Sequence, residues 1–312
     1  MKLATIINVH GNTELVQDTL DAVRTWVTED VLLVVDGAKW DEWGAGLEVP
    51  AYKLRGFFHG VPKSPYRNVT LALMTAHQQW PKADWYCYSE YDVLFTSSAF
   101  KEDLASAADR GVWCIGNDLR TQNFKFPFLE KMLKTQFDES KYLLGCCVFH
   151  HGDFIRKLHS EGFFNKFLNW TNIFSQGHFP DYEEQGGYDV AEHLYPTLAN
   201  HYGGKVEQFA TWHHSHGMWQ GNFRKYPMRW QPEIDPQQED FPEASIVHPI
   251  KDLDHPIRQS NQVKRYQFRK GRHVEKPKLQ FHNFGVRGGC LLRSSGSRQK
   301  GVDSGGAEDA SR

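Results

Sequence analysis

Glu90 and Asp92 interrupt an otherwise aromatic and apolar run, Asp84-Trp-Tyr-Cys-Tyr-Ser-Glu-Tyr-Asp-Val-Leu-Phe95. In an extended strand successive side chains alternate sides, so the two carboxylates point one way and Tyr91 the other. Like charges on one face raise each other's pKa, which makes the pair costly as plain packing, and a divalent cation would relieve that cost. The same two acids also fit a strand that simply emerges into solvent, so the spacing alone leaves both roles open.

The elements around the pair narrow the choice. Leu3 to Val9 is a β-rich run ending at His10-Gly11-Asn12, and from Thr13 the apolar positions Val16, Leu20, Val23 and Val27 recur at helical spacing, with Asn12 or Thr13 as cap. Val31 to Val35 is a continuous branched run that stops at Asp36-Gly37, the pattern of a parallel strand buried on both faces. A second helix is expected over Asn68 to Trp80, stopped by Pro81, and it leads into the aromatic strand. A short helix at about 99–108, strands at 112–116 and 142–149, and a helix at 153–159 follow. Beyond them lie a loop-like aromatic stretch at 163–179 and a helix over 190–201 that holds Pro196. Alternating strands and helices predict an α/β fold with a largely parallel sheet. Ligands of such sheets sit beyond the carboxyl ends of the strands, where His10, Asp36, Glu90 and Asp92 all fall.

Composition sets the outer limits. The chain has 312 residues, 40% hydrophobic and 24% charged, enough for a sizeable core. A formal net charge of −2 supplies no general attraction for nucleic acid or anionic membrane, so an anionic substrate must be held by local groups. Ten Trp, twelve Tyr and twenty-one Phe suit a sugar-stacking cleft, although aromatics fill cores more often. Five cysteines, at 87, 114, 146, 147 and 290, lack Cys-x-x-Cys spacing and read as reduced core residues. The first apolar run is too short for a signal peptide, and no stretch of eighteen apolar residues could cross a bilayer. The expectation is a cytoplasmic protein, in which the sequons at Asn68 and Asn169 carry no weight. Residues 251–280 hold nine Lys or Arg against three acids, suited equally to phosphate oxygens or to a solvated surface.

The order of these features resembles the GT-A family of nucleotide-sugar-dependent glycosyltransferases. Asp36 in Val-Val-Asp-Gly stands where that family has an acid contacting base or ribose, and Ser89-Glu90-Tyr91-Asp92 stands for its Asp-x-Asp metal motif, with Glu at the first position. Leu144-Gly-Cys-Cys-Val-Phe-His-His-Gly-Asp-Phe-Ile155 is similar to the following strand and helix start. Gly187-Tyr188-Asp189-Val-Ala-Glu192-His-Leu194 is similar to the element that carries a catalytic base, with Tyr188 where a second acid is usual. Helical spacing places Asp189 and Glu192 on neighbouring positions of one face. His248, ending Ser245-Ile-Val-His, fits the family's late metal-binding histidine. His213-His214-Ser-His216 is a rival whose spacing matches no standard zinc motif.

The resemblance, spanning about residues 3–250, implies a GT-A-like, Rossmann-type sheet and transfer of a sugar from a nucleoside diphosphate sugar to a carbohydrate or other hydroxyl acceptor. Its implied site has Glu90, Asp92 and His248 on Mn²⁺ or Mg²⁺, with Asp92 the stronger direct ligand. His10, Asp36 and Arg67 are the expected contacts to the donor nucleotide. Asp189, or else Glu192, is the expected base of an inverting reaction. The expected layout is a GT-A-like domain at 1–250, a basic extension at 251–284 packing on or near the active site, and a disordered tail at 285–312. Two other readings stay open: a sugar-phosphate nucleotidyltransferase, whose usual Gly-rich first loop is reduced here to Gly11 alone, and a non-catalytic carbohydrate-binding protein on a degenerate transferase fold. A glycoside hydrolase fits less well, because its two carboxylates face each other across a cleft.

Overall fold

The computed structural model describes residues 1–41, 52–57, 64–123, 125–173, 190–213, 215–239 and 241–271. All of them belong to one compact unit, Met1–Leu279. In chain order the elements are β1 (Leu3–Val9), α1 (Thr13–Trp26), β2 (Val31–Val35), β3 (Tyr52–Arg55), α2 (Ser64–Gln79), β4 (Trp85–Glu90) and β5 (Leu94–Phe95). Then come α3 (Phe100–Asp109), β6 (Val112–Gln122), α4 (Pro127–Leu133), β7 (Ser140–His151), α5 (Gly152–Ser160), α6 (Phe163–Ile173) and α7 (Val190–His201). The last are β8 (Lys205–Gln208), β9 (Ala210–His213), β10 (Met218–Gly221), β11 (Ile246–Val247) and α8 (Pro256–Gly271).

Seven strands form the central sheet in the order β3-β2-β1-β4-β7-β6-β8. Strands β3, β2, β1 and β4 run parallel, β8 is parallel to β6, and β7 lies antiparallel between β4 and β6. This is the α/β arrangement expected above, a mostly parallel sheet flanked by helices. Alternation along β1 sends Ala4 and Ile6 to one face and Leu3, Ile7 and Val9 to the other. The first face packs on Val69, Ala72, Leu73 and Ala76 of α2 and on α5, α6 and α7. The second packs on Val16, Leu20 and Val23 of α1 and on Phe100, Leu104 and Ala107 of α3. A strand covered on both sides favours apolar residues throughout, which is why β2 reads as an unbroken run, whereas β1 also buries Thr5 and Asn8.

The first β-α-β unit matches its sequence pattern: Asn12 is the cap, its Oδ1 accepting from the N–H of Glu14 at 2.7 Å and of Leu15 at 3.4 Å. Three expectations need correction. The stretch from 163 is helical as far as Ile173, because Phe163, Phe164 and Phe167 all bury against the core; 174–179 lie outside the described residues. Strands β6 and β7 run well past 112–116 and 142–149, since they pair with each other as far as Gln122 and Ser140 and the ladder satisfies their polar ends. Strand β4 stops at Glu90, so Asp92 lies in the turn that follows and not on the strand.

Where it is described, the basic segment divides: Lys251, Lys264, Arg269 and Lys270 are exposed, and Arg258 and Arg265 are buried. Arg258 and Arg265 of α8 turn inward and close on Asp18 of α1, the first pair at 2.6 Å. A buried carboxylate needs such compensation, and it takes two of the segment's cations out of solvent. No helix among the described residues is long and apolar enough to cross a membrane.

Candidate metal and nucleotide site

The parallel strands aim their carboxyl ends at one side of the sheet, and the strand order reverses between β1 and β4, the usual position of a ligand crevice. Glu90 closes β4, and the turn through Tyr91 delivers Asp92, 3% exposed. The third member comes from far along the chain. β11 pairs antiparallel with β5, Val247 opposite Leu94 and Ile246 opposite Phe95, so the residue after β11 lands beside the residues before β5. That residue is His248, 2% exposed, with Nε2 3.3 Å from Asp92 Oδ1 and 3.5 Å from Glu90 Oε2.

One ligand atom from each of Glu90, Asp92 and His248 lies within 4.8 Å of the other two, the one such group among the described residues. His248 Nδ1 is 2.7 Å from the carbonyl oxygen of Arg229, to which it can only donate. In the neutral ring that leaves Nε2 as a lone pair facing two carboxylates, the orientation a metal-bound histidine takes when its other nitrogen donates to a carbonyl. Asp92 Oδ1 is buried and takes no aligned hydrogen bond. An orphaned buried carboxylate oxygen, a second carboxylate and an imidazole nitrogen fit a divalent cation: the oxygens suit Mg²⁺ or Mn²⁺, and the nitrogen favours Mn²⁺.

Burial alone would raise Asp92, but the close approach and charge of His248 and the charge of Lys251 hold it below the usual carboxylate range. Burial alone would depress His248, yet the sulfur of Cys146 and the carboxylates of Asp92 and Glu90 hold it well above its ordinary value. The Cys146 thiol, itself buried, is pushed up to about 11.

Of the expected nucleotide contacts, His10 borders this centre through Tyr91. His10 follows β1 and sets its ring edge-on to Tyr91, centroids 4.7 Å apart. Asp36 follows β2 and is buried, its Oδ1 accepting from the N–H of Ala38 at 2.8 Å, so part of its capacity shapes the turn. Arg67, in the first turns of α2, is buried with its guanidinium 3.6 Å from the Phe57 ring centroid. Asn68 next to it brackets the segment beyond β3, accepting from Phe57 N–H at 2.6 Å and donating to Phe57 O at 3.1 Å.

Of the two candidate bases, Asp189 lies outside the described residues. Glu192, in the first turn of α7, accepts the N–H of Gly145 at 2.7 Å and hydrogen-bonds the phenol of Tyr142. Gly145 precedes Cys146 on β7, whose neighbour Cys147 lies opposite Ser89 of β4, so Glu192 sits at the strand end that bears Glu90. Of the rival histidines, His213 ends β9, His214 lies outside the described residues, and exposed His216 is engaged with Ser215 Oγ at 2.8 Å. Cys87, Cys114, Cys146 and Cys147 are free thiols and buried, as expected; Cys290 lies outside the described residues.

Two cations went unnoticed in the sequence. Lys251 Nζ is 3.9 Å from Asp92 Oδ2, and Lys39 Nζ donates to His10 O at 2.9 Å. The spacing His248-x-x-Lys251 was the available signal for the first; nothing singled out the second.

No family model matches the chain, and no curated protein matches it. Solved structures do. A cytidylyltransferase from Leptospira borgpetersenii aligns at 13% identity and a TM-score of 0.35, covering 67% of this chain and 76% of that one. A glycosyltransferase involved in glycosylation of the major capsid of PBCV-1 aligns at 11% identity and a TM-score of 0.40, covering 86% of this chain and all of that one. A CMP:2-keto-3-deoxy-manno-octonic acid synthetase complexed with CTP aligns at 10% identity and a TM-score of 0.35, covering 67% and 89%.

Proposed function

We propose that the protein is a metal-dependent glycosyltransferase that moves a sugar from a nucleoside diphosphate sugar to a hydroxyl acceptor. The observation that carries this reading is the convergence of Glu90, Asp92 and His248 beyond the carboxyl end of β4, at the reversal of strand order. Bound there, Mn²⁺ or Mg²⁺ would neutralise the leaving diphosphate. The chain's own groups would do the rest. Asp92 and His248 hold the cation side of the donor, with Glu90 as the third ligand. His10 and Asp36, at the ends of β1 and β2, and Arg67 beside Phe57 bound the nucleotide side. Lys251 and Lys39 add positive charge to a protein with a formal net charge of −2.

Transfer also needs a carboxylate to take the acceptor's proton. Asp189 is proposed for that role, with Glu192 as the competing group, and a base placed there would give inversion. Glu192 shares its carboxylate with Gly145 N–H and the Tyr142 phenol, which fixes its orientation and favours it as a positioning group.

The test is a thermal-shift panel of UDP, GDP, CMP and dTDP sugars with and without Mn²⁺, followed by product analysis of any hit. A Mn²⁺-dependent shift with release of the nucleoside diphosphate supports sugar transfer. Release of pyrophosphate from a nucleoside triphosphate and a sugar phosphate would assign nucleotidyl transfer in its place. Silence across the panel would leave a carbohydrate-binding protein without catalysis.

A further inference from the structure

Arg258 is fully buried, an expensive position for a cation, and all five of its N–H groups are committed. Nη1 donates to Asp18 Oδ2 at 2.6 Å and to Thr19 Oγ1 at 3.3 Å. Nη2 donates to Thr19 Oγ1 at 3.3 Å and to Ile250 O at 2.8 Å, and Nε to Ile250 O at 3.1 Å. Thr19 spends its single hydroxyl hydrogen on Tyr91 O at 2.6 Å, so it meets Arg258 as an acceptor. Ile250 in turn gives its N–H to Asp92 O at 3.0 Å.

These bonds form two arms from one guanidinium. One arm runs through Thr19 to the peptide between Glu90 and Asp92. The other runs through Ile250, two residues past His248, back to Asp92. Every backbone segment that bears a member of the trio is therefore tied to the same side chain. Without a cation, two carboxylates this close repel, and a turn held only by its own residues would open. A guanidinium is suited to the task because its fork is planar and rigid, whereas an ammonium donates from a single point.

We infer that Arg258 is the positioning residue of the metal site, holding the 90–92 turn and the 248–250 segment at ligand spacing from the opposite side of the backbone. The inference rests on the trio being a metal site and adds the residue that keeps it assembled. It also gives α8, outside the core sheet, a direct part in the site's geometry. Arg258 touches no substrate; it acts through Thr19 and Ile250.

The experiment is Mn²⁺ binding to the full chain, read by the loss of the free-ion electron paramagnetic resonance signal, for wild type, Arg258→Lys and Thr19→Val. Thermal melts run alongside to report folding. Thr19→Val keeps shape and charge and removes the hydroxyl that joins the Arg258 guanidinium to Tyr91 O. Both variants are expected to raise the Mn²⁺ dissociation constant by about 10- to 100-fold, the usual range for outer-shell partners of a metal site. Arg258→Lys is expected to give no rescue, although its charge is retained. If folded Thr19→Val binds Mn²⁺ as wild type does, the positioning role is wrong while the metal site stands. If wild type takes up no Mn²⁺, the metal reading fails and the inference with it.

Discussion

His248 presents Nε2 to Asp92 Oδ1 at 3.3 Å because its other nitrogen is anchored on the carbonyl of Arg229. The pair is therefore oriented before any cation arrives, the condition under which a metal site binds with little reorganisation. Asp92→Asn is expected to weaken Mn²⁺ binding by more than about tenfold, since a direct ligand should cost at least what its outer-shell partners do. Glu90→Gln should cost less, because Glu90 sits farther from the imidazole and is only half-buried. Calorimetric Mn²⁺ titration of the two variants checks the order, and equal losses would make Glu90 a full ligand.

Asp18 links stability to pH. Burial would raise its carboxyl, but the charge of Arg265 and hydrogen bonds from Arg265 and Arg258 hold it below its ordinary value of 3.8. A depressed folded pKa stabilises fully above the unfolded value and loses that contribution as pH falls through the folded one. Asp18→Asn should therefore cost about 3–5 kcal/mol at neutral pH, as when one member of a buried ion pair is removed. The gap to wild type should narrow only below pH 3.8. Urea unfolding across that range reads both effects.

Gly145 and Glu192 offer a separate handle on the chemistry. A Cβ at Gly145 would stand 3.0 Å from Glu192 Cγ and 3.2 Å from its Oε1, so Gly145→Ala must push the carboxylate aside. If Glu192 is the base, Glu192→Gln should lower turnover by about 10²- to 10⁴-fold, the span of general-base catalysis. If it only positions, Asp189→Asn should show that loss, with Glu192→Gln and Gly145→Ala each well short of it. Nucleoside diphosphate release, with donor binding measured in parallel, distinguishes these outcomes.

Gly11 lies against the residue between the two carboxylates. A Cβ there would come within 2.1 Å of Tyr91 Cε2 and 2.4 Å of Cζ, a rigid ring and not a yielding side chain. Gly11→Ala should cost about 1–3 kcal/mol as overpacking. It should also weaken Mn²⁺ binding by moving Tyr91, and urea midpoints with Mn²⁺ titration test both parts.

Much of the fold was legible because its signals are local. A β-rich run marked β1, an unbroken branched run marked β2, helical spacing with an Asn12 cap marked α1, and Pro81 marked the end of α2. Glu90 and Asp92 stood out because acids inside an aromatic run conflict with packing. The route by which His248 reaches them was not legible, since β5 and β11 have two residues each and no periodicity can show in two residues. Asp18 carried no signal, and Arg258 and Arg265 lay in a segment suited equally to phosphate oxygens or to solvent, because only tertiary contact reveals that the three neutralise one another. The aromatic cluster opening α6 read as a loop, although its phenylalanines bury as a helix face does.

The two-rung ladder of β5 and β11 also bears on the order of folding. It joins Leu94 to Val247 across a long stretch of chain, and contacts that distant form late because loop closure must precede any gain from them. The β-α-β core can assemble with Glu90 and Asp92 in place before the imidazole arrives. On the proposed metal site, Mn²⁺ uptake during refolding should lag behind the recovery of helix and sheet, because the imidazole arrives last.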